Sequence, residues 1–445
     1  MSDSPNTDVP GPSGLPFLGN THQLAGGLLD SLEEWSDQYD EDVIQFSFLG
    51  DEMYLLTHPD HIQRVLVDGR DDFGRTKFGQ EIFGEIEEDS LSVSEGAEWK
   101  RQRQIMQPAF YRNRLLPFAD DISEYADERI SKWDEPFDMQ EEMKTLAMDV
   151  LTKALFDMDT RGRESVAEET ASAMVEKSDF TSINAYLPEW VPTHANRKFK
   201  RTTTELHEQI EEMIDERGDT AGSGDDLMAM LMKASERSDD ALTDKEIRDN
   251  IAGMLMKGHD TTAVALTFTW YLLARNPRVE KKLHDELDEV LGDDRPTADD
   301  LDDLTYTSKV IKESMRYFSP AYVITRRAEN DVLFDGFEVP DDSVVMLPQW
   351  VIHRDERFYD NPDEFRPERW TEEFEEELPE YAYFPFGGGP RACIAQNFAL
   401  LEMKLIVATI ANRVSVSLED DDPMEFAVTF TAHPKDEVMM SVEER

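Results

Sequence analysis

Between about residues 95 and 291, apolar residues recur at the three- and four-residue spacing of helices buried on one face. Trp99–Met106, Met143–Phe156, Leu206–Met213, Ile247–Arg275 and Val279–Val290 each read as such a helix, and the polar run Gly218–Asp226 as a linker between two of them. Two regions show strand-like patterning instead. Val43–Leu49 and Met53–Thr57 flank Gly50-Asp51 as a hairpin, and Val332–Val345 folds about Asp335-Gly336. Pro10 to Pro16 excludes helix and central strand and reads as an extended arm. A Pro- and aromatic-rich loop, Arg354–Pro390, leads into a helix from about Cys393 to Arg413, and the tail reads as a closing hairpin of Ala427–Thr431 with Glu437–Val442. Without repeats or strand–helix alternation, the expected fold is mainly α with small β-sheets. Its organisation would be an arm over residues 1–20 and a single domain over 21–445.

Composition narrows the class. The 445 residues are 39% hydrophobic and 10% aromatic, enough for a core and against disorder. The 45 Lys and Arg face 97 Asp and Glu, a net charge of −52 that repels nucleic acid and anionic membranes. Apolar runs such as Ala263–Ala274 are too short for a transmembrane anchor, and the first residues lack the basic start and apolar stretch of a secretory signal. The expectation is a soluble, cytoplasmic protein. The acids are spread along the chain, so self-repulsion is general. Molar salt, with a screening length of about 3 Å, would relieve it, which points to a halophilic cytoplasm.

The lone Cys393 rules out an internal disulfide and a multi-cysteine zinc site. His58 and His61 could be read as a metal pair, but His58-Pro59 better suits the capped entrance of a helix. Cys393 closes Phe386-Gly387-Gly388-Gly389-Pro390-Arg391-Ala392-Cys393-Ile394-Ala395. Three glycines allow close backbone approach, a following helix stabilises a thiolate, and Arg391 can pair with a carboxylate. Axial ligation of haem iron fits this set; a phosphate cradle or an inert buried cysteine are the other readings.

In this loop the chain resembles the cytochrome P450 superfamily, whose pattern F-x-x-G-x-R-x-C-x-G is matched by Phe386, Gly389, Arg391 and Cys393, with Ala395 in place of the last glycine. The resemblance implies that Cys393 ligates the iron of haem b (iron protoporphyrin IX), that Arg391 pairs with a propionate, and that Phe386 packs against the sulfur. Further motifs follow in the family's order. Glu313-Ser314-Met315-Arg316 is similar to E-x-x-R, and Arg369 to the arginine completing that network, while His353-Arg354-Asp355 resembles a segment between them. Trp99 and Arg103 resemble W-x-x-x-R and share a helix face, so both could reach propionates; neighbouring Lys100 and Arg101 could instead receive an electron-transfer protein. A further propionate contact is expected from Arg326, two residues before Ala328.

Lys257-Gly258-His259-Asp260-Thr261-Thr262 resembles A-G-x-D-T-T, the family's oxygen-handling motif. Asp260 and Thr261 supply a titratable group and a hydroxyl for proton delivery. Lys257 departs from the motif. It could pair with Asp260, swing its charge away, or, as a neutral amine, ligate the iron; pairing or swinging away is favoured over ligation.

The resemblance implies an enzyme, a haem-thiolate monooxygenase inserting one atom of dioxygen into a lipophilic substrate, with a fatty acid, isoprenoid or carotenoid-like molecule as the guess. Expected pocket residues are Phe78, Ile82, Phe83, Ile86, Phe180, Tyr186, Leu187, Val264, Ala321, Tyr322 and Val323. The chain ends some 50 residues after Cys393 without a reductase, so electrons would come from a separate ferredoxin or flavoprotein reductase. The alternatives are a haem-based sensor, suggested by Lys257, and a peroxide-dependent or isomerase relative.

Overall fold

The computed structural model describes residues 8–76, 83–133, 136–159, 161, 166–178, 191–218, 224, 226–236 and 240–445. They form two compact units, each assembled from separate stretches of chain. One comprises Met1–Gln80 with Glu313–Cys393, the other Glu81–Lys312 with Ile394–Arg445.

The first unit is built on a five-stranded sheet in the order Val43–Phe48, Asp51–Leu56, Val344–Leu347, Ile324–Ala328, Phe73–Gly74. The expected first hairpin is present, paired Val43 to Leu56 through Phe48 to Asp51. Leu49 and Gly50 take positive φ at its turn, as do Asp335 and Gly336 between Val332–Phe334 and Phe337–Val339. Two-residue hairpins need that left-handed backbone. Val43, Leu56, Ile62, Phe334, Val345 and Leu347 form its apolar core with Tyr381 and Phe384 from the loop that precedes Cys393. His58 caps the helix Pro59–Gln63 by accepting from the Asp60 N–H at 3.2 Å, and His61 pairs with Asp335 at 3.0 Å. These contacts favour the capping reading, and no metal-holding cluster occurs among the described residues.

The second unit is helical. Its longest helix, Asp244–Arg275, starts at a reciprocal cap in which Thr243 and Glu246 exchange hydrogen bonds, and it ends before Pro277 opens the helix Pro277–Val290. The helix Met139–Phe156 packs along it. A Cβ on Gly258 would stand 3.0 Å from Leu151 Cδ2, so this glycine allows the close crossing. Among the described residues no helix is long and apolar enough to cross a membrane.

Two expectations are corrected. The helix after the glycine loop spans Gln396–Arg413, beginning three residues beyond Cys393. The tail does not close as one hairpin. Thr429 N–H donates to the Thr431 carbonyl at 2.9 Å, and this tight turn folds Phe426–Val428 back on Ala432–Pro434. Met439–Glu444 is thereby left to pair with Val414–Leu418 and Phe137–Asp138. Most of the Gly218–Asp226 linker lies outside the described residues.

Candidate active site: the thiolate loop and the long helix

In the first unit the glycine loop is held from three directions. Gly387 and Gly389 adopt φ of +72° and +63°. A Cβ on Gly388 would meet the Tyr381 ring at 2.3 Å, one on Gly389 the Leu66 carbonyl at 2.3 Å, and one on Gly387 the Ile324 side chain at 3.3 Å. The Cys393 N–H donates to the Phe386 carbonyl at 2.9 Å and closes the loop, leaving the cysteine exposed and outside any disulfide. Phe386 and Arg391 are half-buried on the same loop.

Ile324 lies on the strand that carries Arg326, so that strand is packed beside the loop. Arg327 pairs with Glu329 at 2.5 Å and Asp342 at 3.1 Å. Side chains alternate along a strand, so Arg326 projects to the opposite face, and its guanidinium reaches the Thr325 carbonyl at 2.8 Å. The two adjacent arginines are thus separated.

Behind the loop stands a buried ionic network. Both Glu313 oxygens accept from Arg316 at 2.9 Å; one also accepts from Arg369 Nε at 2.8 Å and the Arg366 N–H at 3.0 Å, the other from Trp370 Nε1 at 2.9 Å. Arg316 then donates to the carbonyls of His353 at 2.9 Å and Pro362 at 2.7 Å. Arg369 donates to those of Asp360 at 2.9 Å and Glu364 at 2.9 Å. So many charge-assisted bonds compensate the loss of hydration that burial imposes. Burial, aided by the charge of Arg316, pushes the His353 imidazole down to about 3, so it is neutral, and its Nε2 accepts from the Phe384 N–H at 2.9 Å. Gln349 donates to the Phe384 carbonyl at 2.6 Å. The network therefore ends on the backbone two residues before Phe386, a connection invisible in the sequence.

In the second unit, Trp99 and Arg103 lie half-buried on the helix Gly96–Met106 at the expected four-residue spacing, and Arg103 Nε donates to Gln107 at 3.3 Å. Arg101 is turned inward to Glu246 and the carbonyls of Asp240 and Ala241, so it is already engaged within the fold.

On the long helix the Thr261 hydroxyl donates back to the Lys257 carbonyl, and the Asp260 carboxylate accepts from Thr431 at 2.8 Å. The acid and the alcohol are adjacent in sequence but oriented separately. Lys257 does not pair with Asp260: its ammonium pairs with Glu87 and donates to Ser92 at 2.7 Å. A helical side chain leans toward the helix N-terminus, which carries the lysine stem away from residue 260. Glu87, Ser92 and Thr431 had no motif to announce them. Gly253 could have been noticed in the sequence, since glycine inside a helix costs about 1 kcal/mol relative to alanine and so points to a packing or functional reason.

Of the expected pocket residues, Phe83 and Ile86 are at least partly buried, Val264 and Tyr322 are buried, and Ala321 and Val323 are half-buried. Phe78, Ile82, Phe180, Tyr186 and Leu187 lie outside the described residues. An exposed thiol on a rigid glycine loop, with half-buried arginines on that loop and on the strand beside it, is a donor set that fits haem.

A mostly helical fold with small separate sheets and a lone thiol presented in this way defines a haem-thiolate oxygenase. The cytochrome P450 family model matches residues 9–439, and the chain belongs to that family, whose members are haem-thiolate monooxygenases. It is 34% identical over 416 residues to cyclooctatin synthase of Streptomyces melanosporofaciens, covering 90% of this chain and 88% of the relative. Cyclooctat-9-en-7-ol 5-monooxygenase of the same organism is 31% identical over 420 residues, with 92% and 90% covered. A bifunctional cytochrome P450/NADPH–P450 reductase of Gibberella moniliformis is 28% identical, and the match spans 96% of this chain but 40% of that protein. The crystal structure of the cytochrome P450DA heme domain superposes with a TM-score of 0.90 at 25% identity, covering 100% of this chain and 99% of that one.

Proposed function

We propose that this chain is a monooxygenase for a terpenoid substrate, using haem b held by Cys393 and electrons from a separate ferredoxin or flavoprotein reductase. The observation that carries the reading is the Cys393 loop, braced through Phe384 and His353 to the Glu313 network. Of the lipophilic classes considered, the isoprenoid is favoured because two relatives are named for cyclooctatin chemistry, one of them for an unsaturated alcohol. Arg326, Arg391, Trp99 and Arg103 are the residues we assign to the propionates, with Phe386 against the sulfur. The two units together are read as one haem-binding domain preceded by the arm.

When bound, the haem supplies dioxygen activation, and the thiolate donates the electron density that favours O–O cleavage. Asp260 acts as the proton reservoir, oriented by the Thr431 hydroxyl, and Thr261 offers the hydroxyl at the delivery end. The Glu87 pairing of Lys257 satisfies its charge within the protein and argues against iron ligation and the sensor reading. The charge of −52 supports action in the cytoplasm of a high-salt cell, with thermal stability rising from low to molar KCl.

The decisive experiment is the absorption spectrum of the reduced, carbon-monoxide-bound protein. The red-shifted band of sulfur ligation is expected in the wild type and absent in Cys393→Ser. A wild type without it, or a serine variant retaining it, overturns the assignment.

A further inference from the structure

The Lys257 pair belongs to a longer polar seam. The Asp249 carboxylate accepts the Asp89 N–H at 2.9 Å, and Asn250 Oδ1 accepts the Leu91 N–H at 2.9 Å. One turn further along, Gly253 leaves a gap in which a Cβ would lie 2.0 Å from Glu87 Oε2. Another turn on, Lys257 grips the same carboxylate and the Ser92 hydroxyl. Residues four apart share a helix face, so Gly253 and Lys257 form a seat shaped for one carboxylate. Glu87 fills it at 2% exposure, with its second oxygen accepting from Ser90 at 3.0 Å.

The seat also fixes an aromatic ring. The Lys257 ammonium stands 4.3 Å over the Phe83 ring, which also meets the Phe430 ring at 6.2 Å. Phe430 lies on the turn whose Thr431 orients Asp260, and Lys257 supplies the carbonyl that receives the Thr261 hydroxyl. Phe83 is thus tied to Lys257, and its ring neighbour Phe430 adjoins the Thr431 that orients Asp260. Other ties also hold this segment, among them Lys177 to Glu85 at 2.8 Å, His207 Nε2 to the Ile86 carbonyl at 2.7 Å, Lys245 to Glu88 at 2.6 Å and to Asp89 at 2.8 Å, and Gln102 to the Asp89 carbonyl at 2.8 Å.

We propose that Glu87, Gly253 and Lys257 are specificity-determining positioning residues. They form an ionic latch that seats segment 83–94 on the long helix and, through Phe83, sets the size of molecule admitted to the oxygen-handling face. The role of that face rests on the function proposed above; the latch itself does not. Without Lys257, Glu87 is left buried without its cation and leaves for water, drawing Phe83 with it. Gly253→Ala has the same effect by filling the seat.

The test uses the full-length haem-loaded protein as wild type, Lys257→Met, Gly253→Ala and Lys257→Arg. Amide hydrogen exchange over residues 83–94 should accelerate about tenfold or more in the first two variants and stay near wild type in Lys257→Arg. Association of 4-phenylimidazole should accelerate about fivefold or more, while that of carbon monoxide, too small to be gated, changes less than about twofold. Unchanged exchange and azole association in both Lys257→Met and Gly253→Ala would overturn the latch. Equal acceleration of both ligands would refute size selection. The thiolate band of the wild type is scored separately, so its absence would sink the proposed function while the exchange data still judge the latch.

Discussion

The neutral imidazole of His353 accepts the backbone N–H of Phe384 at 2.9 Å, while the His353 carbonyl accepts from Arg316. One residue thus joins the buried ionic network to the loop that presents Cys393. The imidazole, held down to about 3, is neutral in the fold, whereas the unfolded chain takes up a proton near the ordinary value of 6.5. Its stabilisation is therefore complete above 6.5 and lost as pH falls toward 3, by about 1.4 kcal/mol per pH unit. His353→Asn offers an acceptor that does not titrate. Unfolding free energies from pH 7 to pH 4 should show a slope shallower than wild type by about that amount, and parallel slopes would refute the assignment. His284, pushed down to about 4 chiefly by burial, titrates in the same direction in both proteins and cancels.

Glu313→Gln should be far more damaging. Five hydrogen bonds converge on this carboxylate from Arg316, Arg366, Arg369 and Trp370. An amide cannot satisfy both guanidinium forks, and breaking a buried pair typically costs about 3–5 kcal/mol. Loss of haem content and a large fall in melting temperature are expected. Arg369→Lys should fail similarly, because an ammonium cannot replace the planar fork. Near-normal haem content in either variant would contradict the bracing role.

The contrast between this network and the Lys257 latch shows what the sequence could convey. Glu313 and Arg316 are three apart on a helix, so their pairing is local, and the order of motifs pointed to Arg369 as the third member. Trp370 and the carbonyls of Pro362 and Asp360 have no such signature; their roles arise where the loop happens to pass. Lys257 suggested Asp260 because both lie on one helix, but its partner lies 170 residues earlier in a loop. The tail hairpin failed for the same reason, since the partner of Met439–Glu444 was fixed by a tight turn at residues 429–431 and by distant Val414–Leu418. Turns and caps, whose causes sit within a few residues, were legible at Asp335-Gly336 and His58.

Asp260→Asn separates geometry from proton supply. The amide oxygen can still accept the Thr431 hydroxyl, so the side chain stays in place while the titratable group is gone. With substrate and a reductase, product formation should fall by about 10²-fold while reductant consumption continues and peroxide accumulates. Thr431→Val keeps the acid but removes its donor, and should produce a smaller loss with an altered pH profile. Undiminished coupling in Asp260→Asn would remove Asp260 from proton delivery.

Glu402 carries the opposite linkage. It is buried on the helix Gln396–Arg413, its Oε1 has no hydrogen-bond partner among the described residues, and burial raises its carboxyl well above the ordinary 4.5. A carboxyl raised in the fold is stabilising below 4.5 and loses that contribution as pH rises, because the unfolded chain releases its proton first. Glu402→Gln keeps the shape and abolishes the titration. The stability of the variant relative to wild type should therefore climb between pH 5 and pH 8, by at most about 1.4 kcal/mol per pH unit, whatever its sign at pH 5. Denaturant unfolding at four pH values in this interval measures the difference. A difference independent of pH would mean that Glu402 ionises as readily in the folded protein as in the unfolded chain.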